Sequence, residues 1–369
     1  MKAVLFAAPL LAVAQAALLP RQAVVTPKVK STTVLGNATD PKIERDSCGS
    51  SSFGKRTLWT CRDTQPSTGG LPIWSNSASW SNLTAEGLPA LTPSGNLVQY
   101  GGFQKPFFPY QADECGSNTA GACSDGTRYA LWPDSPPMTT HTGADGSVVA
   151  YSWVKKSHIN DSNLASLDQY PPTSLYRINY SPSVEGFNST LPEVTLVAEN
   201  FYADGQMPYG DYGNVVHNGM CYLYGQADGT IALAKVPVGS VEDLSTYKYL
   251  VNGAWTSTRP TLGSAGTGIS LGAGGQGTFY YSSVWQCWVW IGGNKYPGAD
   301  FYISTAPHPK GPWTDAVNFY TGKDGSKGLG AYSLQAHPAL GNPGGNGIYI
   351  SYTKLDSLYS TPLIEVLWE

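Results

Sequence analysis

Apolar residues recur along the chain in runs of roughly four to seven, alternating with polar ones and bounded by Gly, Pro, Asn and Asp, the pattern of strands and hairpins. The runs at 57–61, 148–153, 220–224, 231–234, 287–291 and 348–352 are the clearest. Helical spacing is almost absent; a single helical turn is expected near 241–244. The fold class is therefore all-β.

A weak internal repeat organises these strands. The segment 217–225 followed by 231–237 can be laid on 284–291 followed by 301–307, each a strand, a turn, a second strand ending in Pro, and then a stretch containing Trp255 or Trp313. Residues 342–352 begin a third copy, and 363–368 is a last strand able to close a ring with N-terminal sequence. Units of about fifty to seventy residues, each a small antiparallel sheet, describe propeller blades, and a body of about 330 residues holds about five. A five-bladed β-propeller is the expected architecture, a β-sandwich with long loops the alternative.

Composition narrows the class. Of 369 residues only 13% are charged and 12% are aromatic, against about a quarter charged in an average soluble domain. That excludes a coiled coil, and the aromatic content excludes a disordered chain. With 22 Lys+Arg against 26 Asp+Glu there is no basic field for nucleic acid. Residues 1–16 read as a signal peptide: Lys2, an apolar run, then Ala14-Gln15-Ala16 as a small-x-small cleavage site. The run is too short for a membrane span. Residues 17–39 form a pro-segment or extended arm, and 40–369 a single propeller domain. Sequons at Asn37, Asn82, Asn160 and Asn188 and six Cys suit secretion through an oxidising, glycosylating route. A monomer without membrane or nucleic-acid partners is expected.

The segment 45–64 carries the most chemistry. It reads as a hairpin turning at Gly54 and Lys55, which pairs Ser52 with Thr57, Cys48 with Cys61 and Asp46 with Asp63. Directly opposed cysteines are within disulfide reach. The two aspartates lie one step further from the turn on the same face, with Cβ atoms about 4.5 to 5.5 Å apart. Like charges at that distance tend to raise one pKa, and one protonated beside one ionised carboxyl is what glycoside hydrolysis uses, at about 5 to 5.5 Å for retention and about 6.5 to 9.5 Å for inversion. The spacing leans towards retention. The bland alternative is a pair of solvated strand ends or turn caps.

The blocks RDSCGSSSFGKRTLWTCRDTQ, GNVVHNGMCYLYGQADGTIALAKVPVGSVEDLSTYKYLVNGAW, QCWVWIGG and FYISTAPHPKGPW, in this order, resemble the secreted family called domain of unknown function four-one-eight-five, over about residues 40–368. The resemblance implies a five-bladed propeller related to glycosidases, some members being endo-D-arabinanases, and places the two first-hairpin aspartates of those enzymes on Asp46 and Asp63. Where bacterial members have Phe-Gly-Asp-Thr, this chain has Cys61-Arg62-Asp63-Thr64. The substrate implied is an arabinan-like polysaccharide.

Other residues are weighed against that pair. Asp134, Asp211 and His337 stand near the starts of later blades, where propeller ligand groups gather, and are candidate substrate contacts or pKa modulators, with turn caps as the plain alternative. Trp59, Trp132, Trp285 and Trp290 offer sugar-stacking faces, though seams between blades also consume aromatics. The Gly-x-Ser-x-Gly at 268–272 and the glycine pattern at 272–277 lack the strand-then-helix setting of a nucleophile elbow or dinucleotide loop, and read as a flexible loop. No metal or cofactor motif is present. Cys115 and Cys123 close a small loop, while Cys221 and Cys287 either pair or remain buried thiols at equivalent blade positions. The expected function is a secreted glycoside hydrolase; a sugar-binding propeller without catalysis is the alternative, and a polysaccharide lyase is disfavoured by the near-neutral charge.

Overall fold

The computed structural model describes residues 24–70, 73–102, 105–115, 121–182, 190–271, 274–356 and 358–369. The expected signal peptide and the Asn188 sequon lie outside them. The described strands form a five-bladed β-propeller, each blade an antiparallel sheet with its first strand innermost, save for a parallel pairing of Ala38 and Thr39 with Leu97 and Val98 at the outer edge of the fifth. The innermost strands are Gly49–Phe53, Met138–Thr142, Gly213–His217, Gly274–Ser282 and Ala331–Ala336. No helix among the described residues is long and apolar enough to cross a membrane.

The alternation read from the sequence decides how the blades stack. Among the described residues five hydrophobic clusters are present, and each fills one seam between neighbouring blades. Phe53 and Trp80 of the first blade meet Tyr180 of the second, and Tyr224 of the third stacks on Phe279 of the fourth at 3.8 Å. A strand buried on both faces must be apolar on both, which is why Trp288, Val289, Trp290 and Ile291 run consecutively through Cys287–Asn294. The repeat holds: Met220–Ala227 with Thr230–Pro237, and Cys287–Asn294 with Asp300–Ala306, are the second and third strands of adjacent blades. Cys221 and Cys287 sit at matching positions there and are free and buried.

Hydrogen bonds link the innermost strands around the ring. Ser51 Oγ donates to the Pro137 carbonyl at 2.6 Å, Asn214 Nδ2 to the Pro136 carbonyl at 3.1 Å, and the Tyr212 hydroxyl to the Gly275 carbonyl at 2.6 Å. Thr278 Oγ1 donates to Gln335 Oε1 at 2.6 Å, and Ser50 Oγ lies 2.8 Å from His337 Nδ1. These bonds hold neighbouring innermost strands side by side, and the ion pairs of Lys155 with Asp134 and Asp211, the contact of Gln276 with Asp134 and that of Ser47 with Ser333 gather Asp46, Asp134, Asp211, Gly275 and Ser333 at one mouth of the ring.

Two local expectations change. The glycines at 274–277 are not loop but the start of the fourth innermost strand. A Cβ at Gly277 would come 2.6 Å from the Ile291 carbonyl, so glycine there permits a close strand crossing rather than mobility. The helical turn appears slightly later, as a 3-10 turn at Leu244–Thr246 capped by Asp243.

The ring closes where N- and C-terminal sequence meet. Val29–Thr39, within the expected arm, pairs antiparallel with Pro362–Trp368 as the outer part of the fifth blade. Trp368 is 4% exposed and packs on Trp285 and Phe319, with ring centroids at 5.6 and 5.2 Å. Trp368→Ala should therefore cost about 3 to 5 kcal/mol, read as a lowered midpoint in urea unfolding; an unchanged midpoint would contradict closure through this strand.

Candidate active site

The first hairpin keeps one register throughout. Gly49 to Phe53 pair with Thr60 to Arg56, and Ile43 to Arg45 with Pro66 to Thr64, as a turn at Gly54 and Lys55 requires. Cys48 and Cys61 are joined by a disulfide with Cα atoms 4.0 Å apart, and Cys115 with Cys123 by another. Ser47 interrupts the ladder with a φ of 52°, yet the Asp46 N–H still donates to the Asp63 carbonyl at 2.9 Å and the Arg62 N–H to the Asp46 carbonyl at 2.8 Å. Both aspartates are therefore carried to the mouth by one disulfide-tied ladder.

Their surroundings differ. Asp46 is 8% exposed, and burial pushes its carboxyl up to about 6 against the opposing pull of Ser47, Arg62 and Tyr332, with Asp63 adding to the rise. Asp63 Oδ1 accepts from Arg128 Nη2 at 2.7 Å and Trp132 Nε1 at 2.9 Å, two contacts that fix its orientation. One carboxyl is partly protonated near neutrality, and the other faces a guanidinium.

The structure brings Asp134 and Asp211 to the same mouth. Arg62 pairs with Asp134. Lys155, at the end of Val148–Lys155, bridges Asp134 Oδ2 at 2.8 Å and Asp211 Oδ2 at 3.0 Å. Burial works to raise Asp134, but Arg62 and Lys155 outweigh it and hold the group low. Burial pushes Asp211 well above the usual carboxylate range, because Lys155 offsets only part of it and Asp134 adds to it. Gln276 Nε2 donates to the Asp134 carbonyl at 3.0 Å and Ser333 meets Ser47, so all five blades contribute to the mouth. Beside Lys155 opens a recess of about 210 Å³, lined among others by Ser157, Tyr170, Pro171, Gln206 and Pro208.

Two candidates fall away from the mouth. His337 is fully buried, with Nδ1 2.8 Å from Ser50 Oγ and Nε2 2.7 Å from Ser351 Oγ. Its ring lies 4.6 Å from that of Trp59, which is equally buried and donates to Ser81 Oγ. Both belong to the packing between the fifth and first blades, so neither presents a ring face to sugar. Trp290 is likewise in the core, and Trp285 packs against Trp368. Trp132 alone of these tryptophans stands at the mouth, half-buried and 5.9 Å from both the Arg62 and Arg128 guanidiniums. Away from the mouth, Asp113, Glu114 and Glu199 converge on the Lys156 ammonium at 3.1, 3.2 and 2.6 Å.

Sequence reasoning missed Arg62, Arg128, Lys155, Ser47 and Ser333. Arg62 had a signal, since it sits between Cys61 and Asp63. Ser47 had the same signal, lying between Asp46 and Cys48, whereas Arg128, Lys155 and Ser333 meet their partners only through tertiary packing that no local pattern encodes.

No family model and no curated protein matches the chain. Among solved structures, it is similar to a candidate hydrolase from Bacteroides ovatus ATCC 8483, with TM-score 0.56 and 15% identity over 90% of this chain and 87% of that one. It is also similar to an exo-β-1,3-galactanase from Phanerochaete chrysosporium, with TM-score 0.46 and 11% identity, covering 90% of this chain and 64% of the galactanase. An engineered GH43 glycoside hydrolase with endo-xylanase and exo-arabinofuranosidase activity gives TM-score 0.46 and 11% identity, covering 91% of this chain and 51% of that one. At these identities the likeness is one of fold.

Burial lowers the His337 imidazole to about 3, against about 6.5 in an unfolded chain. A depressed folded pKa on a base means that its stabilisation is complete above pH 6.5 and is lost as pH falls towards 3, by up to about 1.4 kcal/mol per pH unit. The stability of His337→Gln, followed by urea unfolding between pH 4 and 7, should fall less steeply on acidification than that of the wild type. Parallel profiles would contradict a buried neutral imidazole.

Proposed function

We propose that the protein is a secreted glycoside hydrolase acting at this mouth on an arabinan-like polysaccharide, with Asp46 as proton donor and Asp63 as nucleophile or base. The observation that carries the reading is the contrast within the hairpin pair: Asp46 raised to about 6 by burial, Asp63 facing Arg128 and Trp132. A carboxyl raised by burial beside one tied to a guanidinium and an indole can divide acid and base roles. Asp46 would protonate the leaving glycosidic oxygen, while Asp63 would attack the anomeric carbon or draw a proton from water. Arg62, which acts electrostatically on Asp46, Asp134 and Asp211 together, would hold the field as charge develops.

Two features of the same surface support a glycan substrate. Trp132, half-buried at the mouth, would offer a sugar ring a stacking surface, and the recess beside Lys155 would take a further unit of the chain. The arabinan class rests on the sequence resemblance alone, and secretion on the signal-like N-terminus, the sequons and the disulfides.

A binding-only reading is favoured by one observation: Arg62, Lys155 and Arg128 are already paired with aspartates, as in a fixed polar surface. The test is reducing-end release from D-arabinan, L-arabinan, xylan and galactan by wild type, Asp46→Asn and Asp63→Asn. The hydrolase reading expects release from an arabinan, reduced by about 10²- to 10⁴-fold in each variant, with activity falling as pH rises through about 6 when Asp46 loses its proton. Binding without release from any glycan would establish the other reading. Activity lost in Asp211→Asn but kept in Asp46→Asn would move the proton donor to the third blade.

A further inference from the structure

Ser47 and Ser333 face each other across the seam between the fifth and first blades, their hydroxyl oxygens 2.6 Å apart. Both are buried, and both hold the left-handed backbone, with φ of 52° and 53°. Side chains with a Cβ disfavour that region. The other described non-glycine residues there, Cys115, Leu164, Asn218, Asp228, Asn252 and Gln286, are exposed or half-exposed. Glycine would occupy either serine position without strain, so strain at two facing buried serines points to a use for their hydroxyls.

The hydrogen bonds show that use. Ser47 Oγ donates to Asp46 Oδ1 at 2.5 Å. An ionised carboxylate has no proton to offer and Ser47 has only one to give, so Ser333 must donate to Ser47. The Ser47 N–H donates in turn to Thr353 Oγ1 at 2.8 Å, which fixes the serine backbone to the fifth blade. We propose that Ser333 and Ser47 form a positioning relay from the last blade to Asp46, aiming its carboxyl into the mouth and favouring its ionised form. The relay is independent of the hydrolase reading; only its effect on turnover rests on that reading.

Other groups act on Asp46 and must be held constant: Arg62 and Asp63 from the first hairpin, and Tyr332 and Tyr359 from the fifth blade. The test is the titration of the Asp46 carboxyl, followed by ¹³C NMR in wild type, Ser47→Gly and Ser333→Gly, together with the melting temperature of each. At pH 4.5, where Asp46 is protonated in both proteins and the raised midpoint costs the folded state nothing, Ser47→Gly should melt no lower than wild type, because the strain is relieved. The Asp46 midpoint should rise by about one pH unit, the worth of one hydrogen bond to a charged group. Ser333→Gly should move it the same way by less, and carries the test if Ser47→Gly does not fold. On a cleaved glycan, the alkaline limb of the rate profile should move upward with the midpoint while KM changes little.

A midpoint unmoved in both variants would overturn the relay. So would one that moves only alongside a melting temperature lowered at pH 4.5, since that is what a packing role predicts. If the wild type cleaves no glycan, the hydrolase reading fails while the titration still decides the relay.

Discussion

Everything at the mouth depends on closing the ring. Five sheets around an axis have one place where chain ends rather than chain continuity must hold neighbours together. Here the outer part of the fifth blade is built from both ends, Val29–Thr39 beside Pro362–Trp368, and its inner edge meets the hairpin of the first blade. The same seam carries the hydrogen bonds of His337 to Ser50 and of Ser47 to Ser333 and Thr353. Asp46 sits at its end, so the geometry of the carboxyl inherits the precision of the closure.

The charges of the mouth form a connected set rather than a list of pairs. Arg62 meets Asp134, Lys155 joins Asp134 to Asp211, and Arg128 holds Asp63. Buried charges survive only when paired, and there are fewer cations than carboxylates in this set. Asp46 and Asp211 are the groups left with raised affinity for a proton. A propeller mouth built this way stores protonatable carboxyls without exposing them to bulk water.

Much of this was legible because it is local. Alternation and the Gly54 and Lys55 turn specified the hairpin register, the Cys48–Cys61 bond and the opposition of Asp46 and Asp63, and the repeat at 217–237 and 284–307 specified two adjacent blades. Asp134 and Asp211 were legible as blade starts. His337 and Trp59 misled because a buried histidine and a seam tryptophan have the same local sequence signature as ligand groups; burial, which separates them, is a property of the packed ring. Lys155 and Arg128 were invisible for the converse reason, since Lys155 meets Asp134 only when the strands of the second blade pair and Asp211 only when the third blade stacks on it, and Arg128 meets Asp63 only when the first blade packs beside it. The glycines at 274–277 were read as mobile when their lack of side chains serves close strand packing.

The most direct test of the central claim is a crystal structure of Asp46→Asn with an arabinan oligosaccharide bound. The account predicts a glycosidic oxygen within hydrogen-bond distance of the residue-46 side chain, the adjoining anomeric carbon facing Asp63, and a sugar ring against Trp132. An oligosaccharide seated on the opposite face of the ring, or at this mouth with no glycosidic bond near residues 46 and 63, would contradict it.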